Sequence, residues 1–214
     1  KVIKTALHTF KDNPKFQQIK DSIFYLKHNI VKPCPVTPSE LNESPNVDLH
    51  DSKEGDETKL HNTLDPKKIT LVAAGSSTWP PFRKDIKIIN NFAKSIKNNE
   101  KIDVICIYGL EAHASDTWPL EYTYQQPNSI DLKTRLRYCN EIKSNLQLTH
   151  LNKWYVDSMS NNFQNEYGYW PAKFFIFQGK YLLNVGEPTN NRDYYDVQDI
   201  ILKVKELASN MKWT

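Results

Sequence analysis

The sequence contains no run of about 18 consecutive apolar residues, the length a membrane-spanning helix requires, so no span is expected within its 214 residues. Cysteine is scarce. Cys34, Cys106 and Cys139 are an odd number with no CxxC pair and no histidine at zinc-ligand spacing, which excludes a disulfide scaffold and a structural metal site. Only six glycines occur, with no fibrous period, and the net charge is just +3. No basic stripe with interleaved aromatics appears, so nothing calls for nucleic acid as a partner. The chain opens on lysine rather than methionine, which leaves a signal or anchor ahead of it open.

What is present describes a soluble globular protein: 39% apolar residues, 25% charged residues and twelve prolines. One domain with an added arm fits that length. Residues 1–40 form the expected arm. Asn13-Pro14 can start a helix with Phe16, Ile19, Ile23, Leu26 and Ile30 on one face and lysines on the other. Such a face packs on the protein's own core or lies on a membrane surface. Pro33, Pro35, Pro38 and Pro45 then give an extended linker.

Residues 41–214 are expected to form the main domain. A peripheral hairpin is predicted between Glu43 and Asp65. Ile69–Ala74 is an unbroken apolar and β-branched run of the kind found in parallel sheets covered on both faces. It leads into Gly75-Ser76-Ser77-Thr78-Trp79-Pro80-Pro81-Phe82 and then a helical pattern from about Arg83 through Ile96. A second strand, Val104–Tyr108, ends in a loop rich in ionisable groups, Gly109–Trp118. Leu132, Leu136, Cys139, Ile142 and Leu146 mark a second helix, and Trp154–Met159 a third strand. A hairpin turning at Gln178-Gly179 and a helix through Val197, Ile201, Val204 and Leu207 close the chain. The order β, α, β, α, β, β-hairpin, α predicts an α/β thioredoxin-like fold: a mixed central sheet with helices on both faces, plus the N-terminal helical arm. In that plan Pro171, often cis, sits close to residue 79. The turn between strand and helix is where unpaired N–H groups and the helix dipole favour an anion, so a thiolate or selenolate there would be reactive at neutral pH. Residue 79 occupies that position, and it is tryptophan.

The Gly75–Phe82 segment resembles the selenocysteine motif of the iodothyronine deiodinases. Tyr108, Glu111-Ala112-His113, Ser115-Asp116 and Trp118 are similar to the same family's second loop. Asp157, Met159, Asn161, Tyr167-Gly168 and Pro171 continue the likeness in order, over roughly residues 40 to 208. The resemblance implies a thioredoxin-fold selenoenzyme, membrane-anchored and homodimeric, that removes iodine reductively from a small iodinated aromatic substrate of the thyroid-hormone type. A thiol reductant serves as cosubstrate, and no metal or further cofactor is implied. By motif position, Trp79 takes the selenocysteine place, Glu111 and His113 handle the proton, and Ser76, Thr78, Tyr108 and Pro171 stand on the substrate side.

The sequence also departs from the family. Indole has no lone pair or ionisable group suited to attacking iodine, so tryptophan at 79 removes the nucleophile. The family's second histidine is replaced in the Gln126-Pro127-Asn128 region, and a glutamate after the proline by Ala172. Selenocysteine is encoded by UGA, one base from the tryptophan codon UGG, and the intact neighbours Thr78, Pro80, Pro81 and Phe82 suit a selenocysteine at this place. Two readings follow: a deiodinase-type oxidoreductase with selenocysteine at 79, and a catalytically inactive homologue that binds a ligand or protein partner. A peroxiredoxin-like enzyme using Cys34 is a third and weaker reading, because that cysteine lies in the linker, far from the turn in sequence.

Overall fold

The computed structural model describes residues 34–120, 125–186 and 196–211. The helix expected around Asn13-Pro14 lies outside those residues. Strands β1 (Asp48–Asp51) and β2 (Glu57–Lys59) form the peripheral hairpin, followed by the short helix α1 (Leu60–Thr63). Then come β3 (Ile69–Gly75), α2 (Pro80–Ser95), β4 (Ile102–Tyr108), α3 (Leu132–Asn145), β5 (Lys153–Asp157), α4 (Asn162–Tyr167), β6 (Ala172–Gln178), β7 (Tyr181–Val185) and α5 (Val197–Asn210).

The strands form one mixed seven-stranded sheet in the order β2-β1-β5-β4-β3-β6-β7. β3, β4 and β5 are parallel, joined by the crossover helices α2 and α3, and the other pairings are antiparallel. Every residue of β3 is buried, as a central strand covered on both faces requires. Alternation along the strands divides the core in two. Ile69, Leu71 and Ala73 of β3 pack with Phe82, Ile86 and Ile89 of α2, Cys139 and Ile142 of α3, and Ile201 and Val204 of α5. Val72 and Ala74 face the other way, toward Leu60 of α1, Phe163 and Tyr167 of α4, and Phe175 and Phe177 of β6. Three long helices thus cover one face, and two short helices and the linker cover the other.

The linker has no regular secondary structure, turns where the Leu41 and Asn42 N–H groups donate to Ser39 Oγ, and lies against the sheet. Ser39 N–H donates to the Leu182 carbonyl at 2.8 Å and Ser44 N–H to the Lys180 carbonyl at 2.9 Å. Cys34 and Val36 pack on the second core. The outer edge of β7 is therefore occupied by the protein's own chain, which blocks strand addition there.

Some boundaries differ from expectation. Helix α2 begins at Pro80, three residues before Arg83, because proline is tolerated in a first turn whose N–H groups have no partner inside the helix. Two-residue β6–β7 loop pairing closes Gln178 on Tyr181, so the turn residues are Gly179-Lys180, one place later than the Gln178-Gly179 signal. The third strand stops at Asp157, and the residues after it lead into α4, which the sequence pattern does not announce.

Candidate active site

β3 and β4 run side by side in register, Gly75 opposite Tyr108, so their two following loops leave the same edge of the sheet. β6 runs antiparallel on the other side with Ala172 opposite Gly75, which brings the cis Trp170–Pro171 bond to that edge as well. Gly75 is needed at the exit of β3. A Cβ there would lie 2.6 Å from the ring of Phe82, which folds back over the strand end.

The side chains of Ser76, Ser77 and Thr78 are fully buried and turn inward, toward the second loop. Thr78 Oγ1 donates to Glu111 Oε2 at 2.6 Å and accepts from the N–H groups of Ala112 at 3.0 Å and His113 at 3.2 Å. Ser76 Oγ also accepts from the Ala112 N–H, at 3.2 Å. Tyr108, fully buried at the end of β4, bonds Glu111 Oε1 and lies 2.9 Å from Ser77 Oγ. The Trp170 indole N–H donates to the Glu111 carbonyl at 3.3 Å. The two loops are thus tied to each other through Glu111. Glu111 is only 3% exposed, and burial pushes its pKa up against the hydrogen bonds donated by Thr78, which pull it down.

Residue 79 sits at the N-cap of α2 with extended backbone, and its side chain makes no cap bond. Its indole stacks on the His113 imidazole, with centroids 5.2 Å apart and planes 22° from parallel. His113 also meets the Trp118 ring, with centroids 4.4 Å apart and planes tilted by 55°. A carbonyl can only accept, so the contact of His113 Nδ1 with the Trp118 carbonyl at 3.0 Å puts the proton on Nδ1 and leaves Nε2 as the second site. Pro80 and Pro81 carry no N–H, so the start of α2 acts on an anion at 79 mainly through the helix dipole, with few direct donors. Arg83, in the first turn, donates from a guanidinium nitrogen to the Ser77 carbonyl at 2.5 Å and holds the turn from the helix side.

The residues singled out from sequence therefore converge, with a division of labour that the sequence did not display. His113 faces residue 79 directly. Ser76, Thr78 and Tyr108, expected on the substrate side, are buried and spend their polar atoms on Glu111 and its loop. Pro171 reaches the edge through strand register. Gln126 is the participant whose role the sequence left unread: its amide accepts from Ser77 Oγ at 2.5 Å and donates to Glu141 at 3.1 Å. Cys106 and Cys139 are buried thiols far from ionisation, the first pushed well up by burial and the second to about 12. Cys34 packs in the linker, with its thiol on the Val36 carbonyl at 3.4 Å. Among the described residues no helix is long and apolar enough to cross a membrane.

The fold is similar to those of several solved proteins. A thioredoxin-like protein from Porphyromonas gingivalis superposes with TM-score 0.55 at 14% identity, covering 79% of this chain and 94% of that one. A peroxiredoxin-like protein from Aquifex aeolicus gives 0.54 at 13% identity, with coverage of 83% and 90%. A putative protein disulfide isomerase from Bacteroides thetaiotaomicron gives 0.52 at 11% identity, with coverage of 84% and 96%. At such identities the likeness establishes the thioredoxin-like fold alone. In sequence, residues 31–206 match the iodothyronine deiodinase family, a span that includes both loops, Pro171 and most of the closing helix. The chain belongs to the iodothyronine deiodinase family.

Proposed function

We propose that the protein is a deiodinase-type oxidoreductase in which residue 79 is selenocysteine, and that it reductively removes iodine from iodinated aromatics of the thyroid-hormone type. The observation that carries this reading is the stacking of side chain 79 on His113, at the N-terminus of α2 and between two loops locked together through Glu111. A selenolate at that place attacks the iodine of the substrate. The aryl carbon–iodine bond breaks, a selenium–iodine bond forms, and the ring carbon takes a proton, which His113 is positioned to supply as the imidazolium while its Nδ1 proton stays on the Trp118 carbonyl. One thiol then displaces iodide to give a selenenyl sulfide, and a second thiol releases the selenolate and a disulfide. The sum is aryl iodide and two thiols going to arene, disulfide, iodide and a proton. Membrane anchoring and a homodimer belong to the same reading, on family grounds.

A second reading is favoured by one feature. The indole of Trp79 completes a cluster of three rings, stacked on His113, which in turn packs tilted against Trp118, and a protein that keeps the cleft for binding and has given up turnover would use it. Replacing Trp79 by cysteine and assaying thiol-dependent iodide release separates the two. Release above that of the Trp79 protein supports the oxidoreductase. A folded Trp79→Cys protein that releases none supports the silent homologue.

A further inference from the structure

A chain of short polar contacts runs from Glu111 to the protein surface: Glu111, Tyr108, Ser77, Gln126 and Glu141. Its protons can be counted. Glu111 Oε2 accepts from the hydroxyl and the N–H of Thr78, at 2.6 and 3.3 Å, which leaves Oε1 facing the Tyr108 hydroxyl. Tyr108 also faces Ser77 Oγ at 2.9 Å, and Ser77 faces Gln126 Oε1 at 2.5 Å. The Gln126 amide is fixed in direction because its Nε2 donates to the Glu141 carboxylate, whose other oxygen pairs with Arg137 at 2.7 Å. Gln126 Oε1 can only accept, so the Ser77 proton points to it. Ser77 Oγ must then accept from Tyr108, because two oxygens 2.9 Å apart with no proton between them repel. The Tyr108 proton is thereby spent, and its oxygen can bond Glu111 Oε1 only by accepting.

We infer that Gln126, oriented by Glu141, is a positioning residue that holds Glu111 in its protonated, neutral form. The charged and titratable groups around this carboxyl are Tyr108 from β4, His113 on its own loop, Tyr169 ahead of β6 with its hydroxyl on the Leu110 N–H, Arg83 of α2 beyond the Ser77 carbonyl, and Glu141 of α3 beyond Gln126. Burial of Glu111 acts in the same direction as the proton count. The consequence for the proposed reaction is electrostatic. A neutral Glu111 places no second negative charge beside an anion at residue 79, where a carboxylate would raise the pKa of the nucleophile and oppose its attack. Only that consequence rests on the proposed function; the proton count does not.

The test follows the carboxyl carbon of Glu111 by carbon-13 NMR across pH 4 to 9 in the Trp79 protein, with Glu111→Gln used to assign the signal. Wild-type Glu111 is expected to remain protonated through pH 7. Glu141→Gln lets the Gln126 amide turn over and donate to Ser77, and Gln126→Ala removes the acceptor, so each is expected to lower the Glu111 pKa by about one unit or more. A loss of packing alone would not produce the same shift from Glu141→Gln, which changes no shape. Glu111 ionised below pH 7 in the wild type, or unmoved in both variants, would overturn the inference. Because no turnover is measured, this result and the outcome of the iodide assay stand apart.

Discussion

Thr78 and Glu111, 33 residues apart in sequence, meet twice: the Thr78 hydroxyl and the Thr78 N–H both donate to Glu111 Oε2. The same hydroxyl oxygen receives the backbone N–H groups of Ala112 and His113. One side chain thus satisfies a buried acid and two buried donors.

Thr78→Val keeps the shape and removes the hydroxyl: the His113 N–H loses this acceptor, while Glu111 Oε2 keeps the Thr78 N–H and the Ala112 N–H keeps Ser76 Oγ. A loss of about 1–3 kcal/mol in urea unfolding is expected, the cost of leaving a buried polar group without its bond. Thr78→Ser keeps the oxygen and should recover most of that loss. Equal stability of the valine variant and the wild type would show that the bridge contributes nothing.

Gly109 opens the second loop against Tyr169. A Cβ at this position would lie 1.7 Å from the Tyr169 hydroxyl oxygen and 2.6 Å from its ring. That hydroxyl also accepts the Leu110 N–H at 2.6 Å, so the ring is held in place. Gly109→Ala is expected to cost about 3 kcal/mol or more, at the upper end of overpacking effects. Combined with Tyr169→Phe, the two losses should sum to less than additive, because each disturbs the same contact. Full additivity in a double-mutant cycle would argue against this contact as the cause.

Asp157 ends β5 and accepts the N–H groups of Phe163 at 2.9 Å and Gln164 at 3.0 Å, starting α4. Burial raises its pKa to about 6, against those bonds and the nearby Arg135 guanidinium. A carboxyl whose folded pKa lies above its unfolded value of about 3.9 holds its proton more tightly in the native state. Its contribution to stability is therefore complete below pH of about 4 and is lost as pH rises to about 6, a change of at most about 3 kcal/mol. Asp85, also raised to about 6, adds a change of the same sign, so the informative quantity is the difference between wild type and Asp157→Asn. Chemical unfolding at pH 4.5 and 7.5 should show a smaller drop in the variant. An identical drop would remove Asp157 as its source.

Much of this architecture can be read from local pattern. The continuous apolar run of β3, the 3.6-residue stripes of α2, α3 and α5, and the hairpin around Gly179 each follow from spacing alone. α4 does not, because it is short and begins and ends on left-handed residues, Asn161 at φ 54° and Gly168 at φ 59°, and its capping carboxylate, Asp157, stands ahead of the N-cap residue instead of at it. In the site, the juxtaposition of His113 with residue 79 follows from two loops leaving one sheet edge, which topology supplies. The depth of Glu111 does not follow: an acid in a polar loop reads as solvated, and only the folded chain shows Thr78, Tyr108 and Trp170 closing around it. Gln126 looks like a simple loss of histidine in sequence. Its part appears once Ser77 and Glu141, 64 positions apart in the chain, are seen on either side of its amide.

The identity of residue 79 is the hinge of the functional account. Protein purified from its natural source and cut with trypsin yields the peptide Ile69–Arg83, whose mass and isotope pattern report that residue directly. The account predicts a selenium isotope envelope at residue 79. A peptide carrying tryptophan there, with no selenium in the intact protein, would contradict it.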